Sequence, residues 1–218
     1  MTAHTLKAFD RDLAQIQRQI NELGNIVLHE LEQALVIFDA PDPQLAQNVI
    51  ENDRLANEYM ANIEFHGAQV LARQHAVADD LRFILCSMRM ASHLERVGDY
   101  AKSMAVKSGH FKRRLDHDLN HQFHAMHTQI VAMLKNVLEA YNNRNVIQAD
   151  VVWEGDETLD ATYKSLYTAL IDGFCDINSN TQEQVDLLFI AKGLERAGDH
   201  ISDIARDVHF MVKGAIHR

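Results

Sequence analysis

The chain carries one short segment twice, as Glu95-Arg96-Val97-Gly98-Asp99 and as Glu195-Arg196-Ala197-Gly198-Asp199. Residues four apart on a helix share a face, with Cβ atoms about 5–6 Å apart. Each segment therefore sets two carboxylates side by side, a like-charge pair that costs roughly 0.2–0.5 kcal/mol unless a cation lies between them. The glycine in the same turn costs about 1 kcal/mol relative to alanine. Both costs recur at equivalent positions, and a bound cation would rationalise them. Oxygen ligands suit Mg, Ca and Mn, and carboxylates also serve Fe and Zn. The small glycine would let a neighbouring helix or a bulky cluster come close.

A second acidic pair lies upstream of each copy. Asp156 and Asp160 are again four apart, and the matching positions in the first copy are Asp53 and Asn57. The candidate metal ligands are Asp53, Glu95 and Asp99 in the first copy, and Asp156, Asp160, Glu195 and Asp199 in the second. Asn57 stands where the pattern asks for an aspartate, which makes the first set one carboxylate poorer. Glu51 and Glu154 match one another but sit about 200° around a helix from the aspartates, so they are left out. The plain alternative is a set of surface carboxylates with Arg96 and Arg196 as ordinary ion-pair partners.

The elements that must position these groups are helices. There are only two Pro and nine Gly in 218 residues, and the apolar periodicity is long. A first seam runs Phe9, Leu13, Ile16, Ile20, Leu23, Val27, Leu31 and ends near Phe38, before Ala40-Pro41-Asp42-Pro43. A second helix is predicted over about 44–73 with Val49, Ala56, Ile63 and Val70 inward. A third covers about 78–108, with Met90, Leu94, Val97, Ala101 and Met104 inward.

The pattern then begins again. Leu119, Phe123, Met126, Ile130, Met133, Val137 and Tyr141 repeat the first seam. Helices over about 146–176 and 182–213 repeat the second and third. In the last helix the apolar line is Ile190, Leu194, Ala197, Ile201, Ile204, Val208 and Met211. Glu195 and Asp199 lie beside that line and are expected half exposed, on one flank of a bundle. Each helix has a single apolar seam, so three must associate to bury it. The expectation is an all-α chain of two similar three-helix bundles, residues 1–109 and 110–218, end to end or side by side.

Composition removes several function classes. The net charge is −10, from 21 basic and 31 acidic side chains, which argues against general nucleic-acid binding. The two cysteines, Cys86 and Cys175, form neither a disulfide framework nor a thiolate metal motif. Apolar runs such as 34–38 and 187–191 do not exceed five residues, far too short for a membrane span, so a soluble cytoplasmic protein without membrane insertion is expected. Ferritin-like di-iron oxidases use Glu-x-x-His, and no Glu here is followed by His three residues on. No Gly-rich phosphate loop or nucleophile elbow occurs. No catalytic residues are therefore assigned, and a non-enzymatic protein is expected. His117, His121 and His124 share one helical face that could bind zinc or nickel, but it lies away from the seam and reads as solvated surface. Trp153, the one tryptophan, reads as a semi-buried anchor.

The residues resemble the PhoU family, accessory regulators of bacterial phosphate uptake. The likeness spans roughly residues 9–214. It rests on the two ERxGD segments, on Val49-Ile50-Glu51-x-Asp53, on Arg73-Gln74 followed by Ala78-Asp79-Asp80-Leu81-Arg82, and on Val212-Lys213-Gly214. The resemblance implies tandem three-helix bundles and metal clusters on E/D-x-x-x-D motifs, with iron or zinc foremost. It also implies a homodimeric, cytoplasmic negative regulator of high-affinity phosphate uptake and phosphate-starvation signalling. Its implied partners are a sensor histidine kinase and the ATPase subunit of the phosphate ABC transporter. The alternatives are a PhoU-domain accessory protein of another transporter and a carboxylate-bridged metalloenzyme.

Overall fold

A computed structural model describes residues 2–73, 76–112, 115–173 and 181–214, with side chains from residue 8 on. Among these residues there are six helices and no strand: α1 Thr2–Asp39, α2 Pro43–Arg73, α3 Ala78–Ser108, α4 His117–Asn143, α5 Val146–Gly173 and α6 Thr181–Lys213. The predicted boundaries agree to within a residue or two, except that the predicted end of α5 at 176 lies outside the described residues, as do Gln74 and Cys175.

Local chemistry explains the breaks. At the α1–α2 turn Asp42 is the N-cap: its Oδ1 accepts from the backbone N–H of Gln44 (2.9 Å) and Leu45 (3.1 Å). Pro43 takes the first helical position, where its missing N–H costs nothing. At the shorter α4–α5 turn, Arg144 adopts the left-handed conformation (φ 51°), and Asn145 Oδ1 accepts from Ile147 N (3.1 Å).

The seams bury as predicted. Val49, Ala56, Ile63 and Val70 of α2, Met90 to Met104 of α3, and Ile190 to Met211 of α6 are all core residues. α3 packs on α1 and α2, and α6 packs on α4 and α5, which makes two three-helix bundles. They lie side by side. α3 also packs along α6, α1 crosses α4, and the two cores merge into one apolar cluster.

The α3–α6 contact is antiparallel. Arg82 reaches the carbonyl of Met211, Cys86 that of Asp207, His93 meets His200, and Tyr100 lies over Gly193. At the α1–α4 crossing Gly24 admits Leu138, whose side chain would stand 2.6 Å from a Cβ there. Nearby, Tyr141 of α4 shares a 2.8 Å hydrogen bond with Ser87 of α3, and its ring stacks on Phe83 at 5.7 Å.

Candidate functional site

In the first bundle α2 and α3 bring Asp53 and Asp99 to a common cation, the ammonium of Lys102. Lys102 Nζ donates to Asp53 Oδ2 at 2.7 Å and to Asp99 Oδ1 at 2.6 Å. Burial works against the Lys102 ammonium, but these two carboxylates more than offset it, so its pKa is raised. Asn57 does not present its oxygen. Its Nδ2 donates to the Asp53 backbone carbonyl (2.9 Å) and to Asp53 Oδ2 (3.2 Å). Arg96 holds the outer edge, 3.3 Å from Asp99 Oδ2 and 3.6 Å from Glu95 Oε2. Glu95 is buried, whereas Glu195 and Asp199 of the second copy are half exposed as expected. Burial, then the nearby Asp99 charge, pushes its carboxyl pKa up.

A fourth carboxylate, overlooked in the sequence, completes this set. Glu30 of α1 is wholly buried, and its Oε2 would stand 2.6 Å from a Cβ on Gly98. The ERVGD glycine is thus the point where α1 delivers an acid to α3. Burial, then the charge of Asp53, raises the Glu30 pKa to about 8. The signal was present in the seam. The buried positions of α1 include 16, 20, 23, 27, 30, 31, 34 and 37, and of these only residue 30 is not apolar. An acid on such a line costs much desolvation unless it is protonated or paired.

In the second bundle Asp156 of α5 lies against α6, with its Oδ1 3.1 Å from the Cβ position of Gly198. Leu159 fills the rest of that contact, so the two motif glycines admit different neighbours. Burial raises the Asp156 pKa, opposed by the Ser202 hydroxyl and reinforced by the charges of Asp199, Asp160 and Glu195. Those four carboxylates therefore share one electrostatic neighbourhood. Glu195 is held by Lys192 Nζ at 2.6 Å on both oxygens, and Arg196 lies 3.2 Å from Asp199 Oδ2. Lys192 is counterpart to Ser92, and Ser202 stands where the first bundle has Lys102. Glu51 and Glu154 are exposed, away from both sets.

The residues fit a cation. Glu30 Oε1 and Oε2, Asp53 Oδ1 and Asp156 Oδ1 are buried acceptor oxygens without a hydrogen-bond partner among the described residues. Such oxygens are costly to bury unless protonated or bound to a cation.

The histidine face of α4 is largely solvated. His117 and His121 are exposed, and His124 Nε2 pairs with Asp39 at 2.8 Å. His127, one turn on, is buried against the carbonyl of Leu31. Trp153 is half-buried beneath the Arg206 guanidinium, 5.4 Å from the ring centre. No helix among the described residues is long and apolar enough to cross a membrane.

Comparison with known proteins agrees with this layout. The PhoU domain matches residues 20–107 and again 123–208, one match per bundle. A phosphate-specific transport system accessory protein PhoU homolog of Rhizobium meliloti is 33% identical, covering 98% of this chain and 90% of that protein. Its counterpart in Xylella fastidiosa is 31% identical over 97% of this chain and 89% of its own. The crystal structure of the phosphate transport system regulatory protein PhoU from Streptococcus pneumoniae superposes with a TM-score of 0.88 at 27% identity, covering 96% of this chain and 99% of that one. PhoU from Pseudomonas aeruginosa gives the same TM-score at 25% identity, over 95% and 100% of the two chains. Two copies of the domain, in two bundles that together span nearly the whole chain, place this protein in the PhoU family.

Proposed function

We propose that this protein is an accessory regulator of a phosphate transport system, acting without catalysis to restrain high-affinity phosphate uptake and starvation signalling. The observation that carries the reading is the full-length match, in both bundles, to proteins named as phosphate-specific transport accessory proteins. Its partners on this reading are the ATPase subunit of the phosphate transporter and a sensor histidine kinase, met from the cytoplasmic side, with the protein itself as a homodimer.

The two carboxylate sets are the proposed metal sites, with iron or zinc as the favoured ions. Asp53, Glu95, Asp99 and Glu30 would hold metal in the first bundle. Asp156, Asp160, Glu195 and Asp199 would hold it in the second. A cation there supplies charge compensation between helices, and its removal loosens their contact.

The test is deletion of the coding sequence, followed by phosphate uptake and starvation-gene expression in phosphate-rich medium. Uptake and expression both rise on this reading. Unchanged values in both assays would discard it.

A further inference from the structure

Outside the two carboxylate sets, a third group of donors lies at the junction of the bundles. His93 of α3 and His200 of α6 face each other with Nδ1 atoms 3.0 Å apart. Asp203, one turn on from His200, brings a carboxylate oxygen to the same point, so that the three donor atoms lie within 4.8 Å of one another. Among the described residues this is the group of three His, Cys, Asp or Glu side chains so gathered.

We infer that His93, His200 and Asp203 form a site for an imidazole-favouring divalent transition metal, zinc foremost, that clips one bundle to the other. The site goes beyond the phosphate reading and does not depend on it. In tetrahedral zinc with bonds of about 2.0–2.1 Å, two nitrogen ligands stand about 3.3 Å apart. The observed 3.0 Å needs only a slight opening to reach that value. Two imidazoles and one carboxylate select zinc and its late first-row neighbours over Mg or Ca, which prefer oxygen sets. Three protein ligands leave a fourth position for water.

The surroundings hold these donors in place. Tyr100 stacks on the His200 ring at 6.0 Å, and the two imidazoles lie 5.3 Å apart between centres. Asp203 is hydrogen-bonded by Arg206, which in turn lies over Trp153. A ligand carboxylate supported in this way is the usual outer arrangement of a metal site. The nearby Arg89 and Arg96 are engaged elsewhere, on Asp207 at 3.0 Å and on Asp99 at 3.3 Å.

The duplication does not account for the group. The antiparallel register that pairs residue 93 with 200 also pairs 100 with 193, its pseudo-symmetric mate. There the residues are Tyr100 and Gly193, and a Cβ on Gly193 would stand 3.5 Å from the Tyr100 ring. Only one of the two equivalent crossings carries ligand chemistry.

The experiment is zinc binding to the full chain, purified without an affinity tag and measured by competition with a chromophoric chelator. Long-range 1H–15N spectra of the wild-type imidazoles accompany it. The expected spectra show two histidines bound through Nδ1 at one equivalent of zinc. Loss of an outer-shell group at a zinc site costs about 10–100-fold, so His93→Gln and His200→Gln should each weaken the tightest zinc by at least about tenfold. Asp203→Asn should weaken it by less. The double variant Asp53→Asn/Asp156→Asn, which touches only the carboxylate sets, should keep it. The proposal is overturned if His93→Gln and His200→Gln bind zinc as the wild type does, or if the carboxylate variant loses the tight zinc. It is overturned equally if the wild-type spectra show other histidines taking up the metal, a result that stands whether or not the variants fold.

Discussion

A Cβ on Gly98 would stand 2.6 Å from Glu30 Oε2, so the carboxylate of α1 rests on the backbone of α3 at the centre of the ERVGD segment. The atom in the way is the end of a flexible side chain, but that side chain has no solvent to move into, because Glu30 is fully buried. Two opposing effects of adding a methyl group can therefore be separated. Helix propensity favours alanine by about 1 kcal/mol, while displacement of the carboxylate disfavours it. Gly98→Ala is expected to destabilise the wild-type protein by about 1 kcal/mol or more, and to stabilise a Glu30→Ala background by about 0.5–1 kcal/mol. Urea unfolding of the four proteins closes the cycle. Equal effects in both backgrounds would show that the contact does not constrain residue 98.

Glu30 also sets a pH dependence. Its folded pKa is raised from 4.5 to about 8, by burial first and then by Asp53. A carboxyl whose pKa is raised on folding stabilises fully below its unfolded value, and that contribution is lost as pH climbs through the folded value. Between about pH 5 and pH 8, with chelator present, the wild type should therefore lose stability relative to Glu30→Gln. The loss is on the order of a few kcal/mol across the range. Parallel denaturation curves of the two proteins against pH would contradict this.

Lys102 is the internal cation of the first bundle, and its second-bundle counterpart Ser202 is neutral. Lys192 pairs with Glu195, three residues away on the same helix, and lies over the Tyr163 ring, whereas Lys102 bridges carboxylates of two helices. With Glu30 counted, each set holds four carboxylates, but the first must expel an ammonium before metal enters. Of the two carboxylate sets, the second is therefore expected to fill first on titration. Of the two carboxylate phases, Asp199→Asn should weaken the tighter and Asp99→Asn should leave it, as followed by calorimetry with ferrous iron. The reverse assignment of the phases would refute the ordering.

The same lysine predicts a stability trade. Lys102→Met leaves the buried Asp53 without its ammonium and should cost about 1–3 kcal/mol in chelator. It should also raise metal affinity at the first site, so that saturating metal restores much of the lost melting temperature. A variant equally destabilised with and without metal would separate Lys102 from the site.

Tyr141 tests the junction of the bundles. Ser87 Oγ donates to the Phe83 carbonyl at 2.7 Å, which leaves the Tyr141 hydroxyl as donor to Ser87 across 2.8 Å. Burial, opposed in part by Ser87, pushes the phenol pKa up, so it remains a donor across the physiological range. Tyr141→Phe removes one hydrogen bond without orphaning Ser87, and should cost about 1 kcal/mol. A loss above about 3 kcal/mol would mean that the hydroxyl does more than bridge the two bundles.

The helices, their seams, their duplication and the flank that carries the acids were all legible in the chain, because periodicity, capping and an i, i+4 pair are local properties of a helix. Asp42 and Pro43 mark one break, and Asn145 marks another, from residue type alone. Glu30 was legible too, as an acid on an apolar seam, but its partner was not, since Gly98 is 68 residues away and on another helix. That Asn57 turns its amide nitrogen to Asp53, and that Lys102 bridges Asp53 and Asp99, followed only from side-chain packing between α2 and α3. The meeting of His93 with His200 depended on more still. It required the two bundles to lie side by side with α3 and α6 antiparallel and in one particular register. Intrahelical spacing says nothing about register between bundles, because that is set by how two merged apolar cores fit, and a shift of one turn would have left both imidazoles with other neighbours.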